Sequence, residues 1–263
     1  MEEADLYPIA QENAANIVSE IQSTYNVGKV DVSWTYFVDL LVNKYSVDIE
    51  AKQFSNIILA KRFAGAIIIG NKKSVISYNN GVYQNNARQH FTVVHEGVHY
   101  MIHKDDHKDG EHYSEILENG SYSPEETQEE LLTNQTASLV MLNDEALIDC
   151  MHNGKKCYVL ADLYGMSGKA IFYRMVNYLR FNLGVASEAA LYLAGRYCYG
   201  STPAACTFLC FFINNFDDIM EWVKNGYHAF VHWLEFCSEI GYTNVPSSYW
   251  YQINHLLPDS VLC

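Results

Sequence analysis

The sequence predicts an α+β fold in which a small β-sheet lies beside a pair of helices, and a helical C-terminal region follows. Apolar residues recur at helical spacing over 9–25, 33–45 and 86–103. Two short β-branched runs, 64–70 and 74–78, are bounded by glycine and asparagine and predict two strands of one sheet. Because 49% of the 263 residues are apolar, the chain can bury a substantial core.

The second half of the chain is predicted to be mainly helical. Residues 104–122 are polar without apolar periodicity and predict a loop. The string Ser123-Pro124-Glu125-Glu126 is a capping box with proline at the first helical position, so it predicts the start of a helix. Residues 149–181 predict two helices joined by a turn, and the aromatic-rich chain from 185 onward predicts a further helical unit.

The charge of the chain argues against some classes of function. Lys and Arg number 17 against 31 Asp and Glu, which gives a formal net charge of −14. Such an acidic protein is a poor general ligand for nucleic acid or anionic membrane, so direct DNA binding is not expected. The N-terminus is acidic and the longest uninterrupted apolar run is only Cys206–Ile213. Together with an odd number of cysteines, seven, these features predict a cytoplasmic protein with reduced thiols and no membrane segment.

The segment Thr92–Tyr100 contains the pattern His-Glu-Gly-Val-His. His95 and His99 are four residues apart on a predicted helix, so both imidazoles project from one face and can bind one Zn²⁺ ion. Glu96 follows the first histidine and is placed to accept a proton from a metal-bound water, which is the role of a catalytic base. The other face of this helix is apolar, which predicts a packed helix rather than a solvated one with two chance histidines.

A zinc site needs a third protein ligand, and the helix that begins near residue 124 offers several acidic candidates. Glu130 is the preferred ligand, because Asn134 lies one turn later and could orient the metal-binding group. Glu129 points about 100° away around the helix and is the alternative. His103 is a weaker rival. Two other acids of this helix are explained by the preference of helix N-termini for negative charge: Glu125 and Glu126.

Two runs of the chain resemble the ImmA/IrrE-type metallopeptidases of bacteria and their mobile elements. The run Arg88–His103 is similar to the family pattern Arg-Gln-x-Phe-Thr, followed by His-Glu-x-x-His and an apolar stretch that often ends in histidine. The run Glu130–Met141 resembles the family pattern Glu-x-x-Ala-Asn-x-Phe-Ala, whose glutamate is the third zinc ligand. A looser match over Leu160–Val176 resembles the helix-turn-helix-like region after the protease core, so the resemblance covers roughly residues 28–182.

The sequence departs from the family pattern at several positions. Gly97 and Val98 fill the middle of the first motif, where the family commonly has Leu-Gly. Thr133 and Thr136 replace the family's alanine and phenylalanine, and Asn143 stands where proline usually follows. These departures bear on the predicted position of the second motif helix more than on the prediction of the metal ligands.

The resemblance implies a zinc-dependent metallopeptidase that binds Zn²⁺ through His95, His99 and Glu130 and uses Glu96 as its catalytic residue. The expected partner is a protein substrate, a helix-turn-helix repressor of phage or mobile-element type. The alternative is a non-proteolytic antirepressor or antitoxin-like regulatory protein that retains a metal site, although an intact Glu96 favours the enzyme. The predicted parts of the chain are a zincin-like metallopeptidase core over 1–145, a helix-turn-helix-like helical region over 146–184 and an aromatic-rich helical region over 185–263.

Overall fold

The computed structural model of the chain describes residues 3–105, 111–116, 124–200, 203–241 and 245–256. Within these residues the fold is α+β, as predicted, with one small sheet in the first half and helices throughout. The strands are β1 (Val47–Lys52), β2 (Phe63–Ile69), β3 (Ser74–Asn79) and β4 (Glu111–Ile116). The helices are α1 (Glu3–Tyr25), α2 (Trp34–Asn43), α3 (Ile57–Arg62), α4 (Asn86–His103), α5 (Pro124–Met141), α6 (Asp144–His152), α7 (Cys157–Leu163), α8 (Gly168–Asn177), α9 (Ser187–Tyr199), α10 (Pro203–Asn214), α11 (Phe216–Asn225), α12 (Tyr227–Glu239) and α13 (Tyr249–Asn254).

The sheet has four strands in the order β1-β3-β2-β4. β1 runs parallel to β3, whereas β2 is antiparallel to both of its neighbours, β3 and β4. Ile67 and Ile69 of β2 are buried while Ile68 between them is 53% exposed, so the described residues cover one face of this strand. α4 packs against β2 and β3. The sheet therefore supports the helix that carries the two motif histidines.

The two strands that the sequence predicted, β2 and β3, occupy the centre of the sheet. The predicted loop over 104–122 is wrong in part, because residues 111–116 form β4 and pair with β2. β4 is an edge strand with one neighbour in the described sheet, and such strands tolerate a polar sequence that shows little periodicity. Residues 106–110 and 117–123, including Ser123 of the predicted capping box, lie outside the described residues. α5 begins at Pro124, as predicted.

Glu20 of α1 links this helix to the end of α2. Lys44 Nζ lies 2.7 Å from Glu20 Oε1, and the Tyr45 hydroxyl donates a hydrogen bond of 2.5 Å to the same oxygen. Burial raises the pKa of Glu20, but the hydrogen bonds from Lys44 and Tyr45 outweigh it and hold the pKa below its ordinary value. The ionised carboxylate therefore stabilises the packing of the first two helices.

α2 also packs closely against α4 at Gly97, the residue after the motif glutamate. A methyl group at position 97 would lie 2.5 Å from Leu41 Cδ1 and 2.8 Å from Phe37 Cε1. Leu41 and Phe37 are themselves fully buried. The helices approach this closely because residue 97 has no side chain. Packing against α2 thus explains why glycine stands at this motif position.

The chain divides into two compact units, one formed by 1–147 with 159–170 and the other by 148–158 with 171–263. The core of the second unit is aromatic: Phe211 and Tyr249 have ring centroids 5.0 Å apart, and Trp222 and Phe230 have centroids 5.1 Å apart. Among the described helices, none is both long and apolar enough to cross a membrane. The predicted boundaries near residues 145 and 184 remain predictions.

Candidate metal centre

α4 and α5 bring the predicted ligands together. Asn85 caps α4, since its side chain accepts a hydrogen bond from the backbone N–H of Arg88. His95 and His99 project from one face of α4 and are 0% and 1% exposed. α5 packs against α4 and directs Glu130 toward the same two imidazoles. The residues predicted from two separate parts of the sequence therefore form one group, in which the two histidines are buried and Glu130 is half-buried.

The distances between the ligand atoms fit a zinc ion. His95 Nε2 lies 3.2 Å from His99 Nε2 and 3.3 Å from Glu130 Oε2. His99 Nε2 lies 3.5 Å from Glu130 Oε1. A tetrahedral zinc ion with bonds of about 2.0–2.1 Å holds its ligand atoms about 3.3 Å apart. Two histidines and a glutamate are also one of the ligand sets that catalytic zinc sites use.

Asn134 contacts the outer nitrogen of the first histidine. Its Oδ1 lies 3.1 Å from His95 Nδ1, on the side of the ring away from the ligand group. An amide oxygen that accepts a hydrogen bond from Nδ1–H fixes the tautomer in which Nε2 keeps its lone pair. Because Asn134 follows Glu130 by one turn of α5, the same helix presents a ligand candidate and an orienting group.

Glu96 is fully buried beside strand β2. A methyl group at Gly65 of this strand would lie 2.3 Å from Thr92 Cγ2 and 3.3 Å from Glu96 Oε1. The backbone of β2 can pass this close to α4 because residue 65 has no side chain. Gly65 was not among the residues predicted for the site, although a glycine inside a predicted strand is a known sign of close backbone approach.

The comparison with known protein families supports this interpretation. Residues 50–176 match the family of IrrE N-terminal-like domains, Peptidase M78. This segment of the chain belongs to that family. The resemblance to ImmA/IrrE-type peptidases is therefore confirmed, and the IrrE-like domain contains α4, α5 and the buried histidine–glutamate group. No curated protein matches the chain significantly. The family supports a function of the metallopeptidase type.

The charge states of the candidate ligands in the IrrE-like domain suit a bound cation. Burial raises the pKa of Glu130, but contact with His95 and His99 outweighs it and lowers the pKa to about 2. Burial lowers the pKa of His99, and the neighbouring His95 acts in the same direction against the opposing contact with Glu130. An ionised carboxylate and neutral imidazoles are the forms in which these side chains bind metal ions.

Glu129 and His103, the alternative ligands from the sequence, lie at the other edge of His99. Glu129 Oε1 is 2.7 Å from His103 Nε2 and 3.7 Å from His99 Nδ1. The shorter distance is below the separation of about 3.3 Å between two ligands of one tetrahedral zinc ion. It is the distance of a direct contact between a carboxylate and an imidazole. Glu125 and Glu126 have side chains outside the described residues. Two groups of three potential ligands occur within the described residues: His95, His99 and Glu130, and His99, His103 and Glu129.

Proposed function

We propose that this protein is a zinc-dependent metallopeptidase in which His95, His99 and Glu130 hold the metal. The observation that carries the proposal is the set of ligand-to-ligand distances, 3.2, 3.3 and 3.5 Å, in a group of two buried histidines and a half-buried carboxylate. These distances match the edges of a tetrahedral zinc site. The match to a peptidase family supports the same function.

When bound, zinc would supply a Lewis acid that polarises a peptide carbonyl and lowers the pKa of a coordinated water. Glu96 would accept the proton of the attacking water and later pass it to the leaving amine. Glu96 suits this role because it adjoins the ligand His95 in α4 and is fully buried. Its surroundings exclude bulk water, which strengthens its electrostatic effect on the reaction. Asn134 would keep the ring of His95 in its metal-binding orientation.

We infer that the substrate is a protein, a helix-turn-helix repressor of phage or mobile-element type. The resemblance to ImmA/IrrE-type peptidases supports this choice. The net charge of −14 disfavours direct action on DNA, so relief of repression would proceed through the repressor.

Metal analysis tests the proposed ligands. We expect about one zinc ion per chain after purification without chelator, and we expect His99→Ala and Glu130→Ala to lose it. His90→Ala is the matched control, because His90 lies on the same helix but is turned about 140° from His95 and stacks on Trp34. A wild-type protein without metal would end the proposal. Loss of zinc in the control as well would show that the effect is not specific to the ligands.

A cleavage assay separates the peptidase from the regulatory alternative. Glu96→Gln keeps the size of the side chain but removes the proton acceptor, so we expect proteolysis to fall by at least ~10²-fold while zinc content stays normal. The substrate would be a repressor encoded beside this protein, and gel electrophoresis would detect a discrete product. If wild type and variant both release the repressor from DNA without cutting it, the protein is an antirepressor rather than an enzyme.

A further inference from the structure

The ring of His99 has two nitrogens, and each faces a different carboxylate. Nε2 faces Glu130 at 3.5 Å. Nδ1 faces Glu129 Oε1 at 3.7 Å, and that oxygen is also 2.7 Å from His103 Nε2. His103 lies one turn beyond His99 in α4, and the two rings stack with centroids 6.2 Å apart. Glu129 and His103 therefore form a contact pair at the edge of His99 that the proposed chemistry does not use.

The position of this pair has a chemical consequence for metal binding. A neutral imidazole that binds a metal through Nε2 carries its proton on Nδ1. A carboxylate that faces Nδ1–H favours this tautomer, orients the ring and makes Nε2 a better ligand. Asn134 already contacts the corresponding nitrogen of His95. Glu129 lies on the corresponding side of His99, but at 3.7 Å its carboxylate is beyond hydrogen-bond distance, so it acts on Nδ1–H through its charge.

We propose that Glu129 is the positioning residue of the ligand His99 and that His103 holds the carboxylate of Glu129 in place. The inference rests on the proposed zinc site, because it concerns the affinity of that site. Glu129 itself faces the nitrogen of His99 opposite to the one that meets Glu130 and His95. In α5, Glu130 thus supplies a metal ligand, and its neighbour Glu129 orients the ligand His99.

The distances argue against a second metal ion between Glu129 and His103. Two ligands of one tetrahedral zinc ion stand about 3.3 Å apart, whereas these two atoms are 2.7 Å apart. A second ion would also require His99 to bind through Nδ1, although its Nε2 belongs to the buried ligand group. One imidazole shared by two metal ions would have to lose both ring protons. A contact pair that supports one metal site accounts for the geometry more simply.

The expected effect is moderate. Orienting partners of metal ligands typically contribute 10–100-fold to metal affinity. The side chains of Glu129 and His103 are 35% and 26% exposed, so water screens their charges in part. We therefore expect loss of Glu129 to weaken zinc binding by about tenfold, at the lower end of that range. Loss of His103 should have a smaller effect of the same sign.

The test measures the dissociation constant of zinc by competition with a chromogenic chelator. Wild type is compared with Glu129→Gln, His103→Gln and the double variant, all as full-length chains. Glu145→Gln is the matched control, since it removes one negative charge from an exposed residue whose contact is Lys29. Circular dichroism and thermal unfolding of the metal-free proteins check that the variants fold. Absorption spectra of the cobalt-substituted proteins report the geometry of the ligands.

The proposal predicts zinc binding weakened about tenfold in Glu129→Gln, with little further loss in the double variant, because both residues act through one carboxylate. The control should bind zinc like wild type. Unchanged affinity in Glu129→Gln would overturn the proposal. Complete loss of zinc, as expected for Glu130→Ala, would also overturn it by making Glu129 a ligand. If wild type binds no zinc, the proposed function fails first and this inference fails with it.

Discussion

Replacing Gly65 with alanine tests how tightly β2 packs against α4, the helix of the two motif histidines. The new methyl carbon would lie 2.3 Å from Thr92 Cγ2 and 3.1 Å from the backbone oxygen of Ser77. Carbon atoms in contact prefer about 3.5–4.0 Å, so strand and helix must separate by about 1 Å or more at this point. Glu96 Oε1, only 3.3 Å from the same carbon, would move with them.

The magnitude follows from two opposing effects. Overpacking of a well-packed core costs about 1–3 kcal/mol. Alanine regains about 0.5–1 kcal/mol, because the unfolded chain is less flexible than with glycine. We therefore expect Gly65→Ala to lower the free energy of unfolding by about 1–2 kcal/mol. Thr92→Ser removes the clashing methyl group and alone should cost about 1 kcal/mol.

The double variant is the decisive sample, because serine removes the closest of the three contacts, the one with Thr92 Cγ2. We expect it to be clearly more stable than additive effects would make it, since independent effects would add to a loss of about 2–3 kcal/mol. Urea unfolding followed by circular dichroism measures all four proteins, and repressor cleavage shows whether Glu96 returns to its place. An additive double variant, or a Gly65→Ala protein as stable as wild type, would refute the argument from close packing.

Three further changes test other parts of the structure. Gly97→Ala should lower the free energy of unfolding by about 1–2 kcal/mol through overpacking. Gly195→Ala is the control, because its new methyl carbon would lie 3.8 Å from the nearest atom, and it should raise the free energy of unfolding by up to about 1 kcal/mol. Equal effects of the two changes in urea unfolding would contradict the packing described for Gly97. Glu20→Gln should cost up to about 1 kcal/mol at pH 7. Because the folded pKa of Glu20 lies below its unfolded value, its contribution is complete above about pH 4.3 and is lost as the pH falls through the folded value. The free energies of unfolding of wild type and Glu20→Gln, measured with urea, should therefore converge as the pH falls. A difference between them that persisted at low pH would exclude an ionic origin. Asn134→Ala should weaken zinc binding about 10–100-fold in chelator competition, and unchanged affinity would remove its orienting role.

The helices were the most predictable part of this fold. α4 was predicted over 86–103, and its observed bounds are Asn86–His103. Its apolar face packs on the sheet and its N-terminus carries a side-chain cap, so local sequence and tertiary packing agree. β4 was missed because its polar residues, at an edge of the sheet, show no clear alternation. β1 was missed although its six residues alternate between apolar and polar side chains, which is the pattern of a half-buried strand. Edge strands depend on pairing with distant residues, which a local pattern does not contain.

The candidate site was predictable in part. The spacing of His95 and His99 is a local property of one helix and needs no tertiary information. The choice between Glu129 and Glu130 is different, because neighbouring helical residues point about 100° apart and only the rotation of α5 against α4 decides which one faces the histidines. The structure directs Glu130 to the two Nε2 atoms and Glu129 to the outer edge of His99.

The contact of α2 with Gly97 has a consequence for how this motif can change. Gly97 lies between the two motif histidines in sequence, yet its size is set by Phe37 and Leu41 on another helix. A leucine here, as the related peptidases commonly have, would need smaller residues at both α2 positions at the same time. Substitutions at position 97 and at these two α2 positions are thus expected to be tolerated in this chain only as compensating sets.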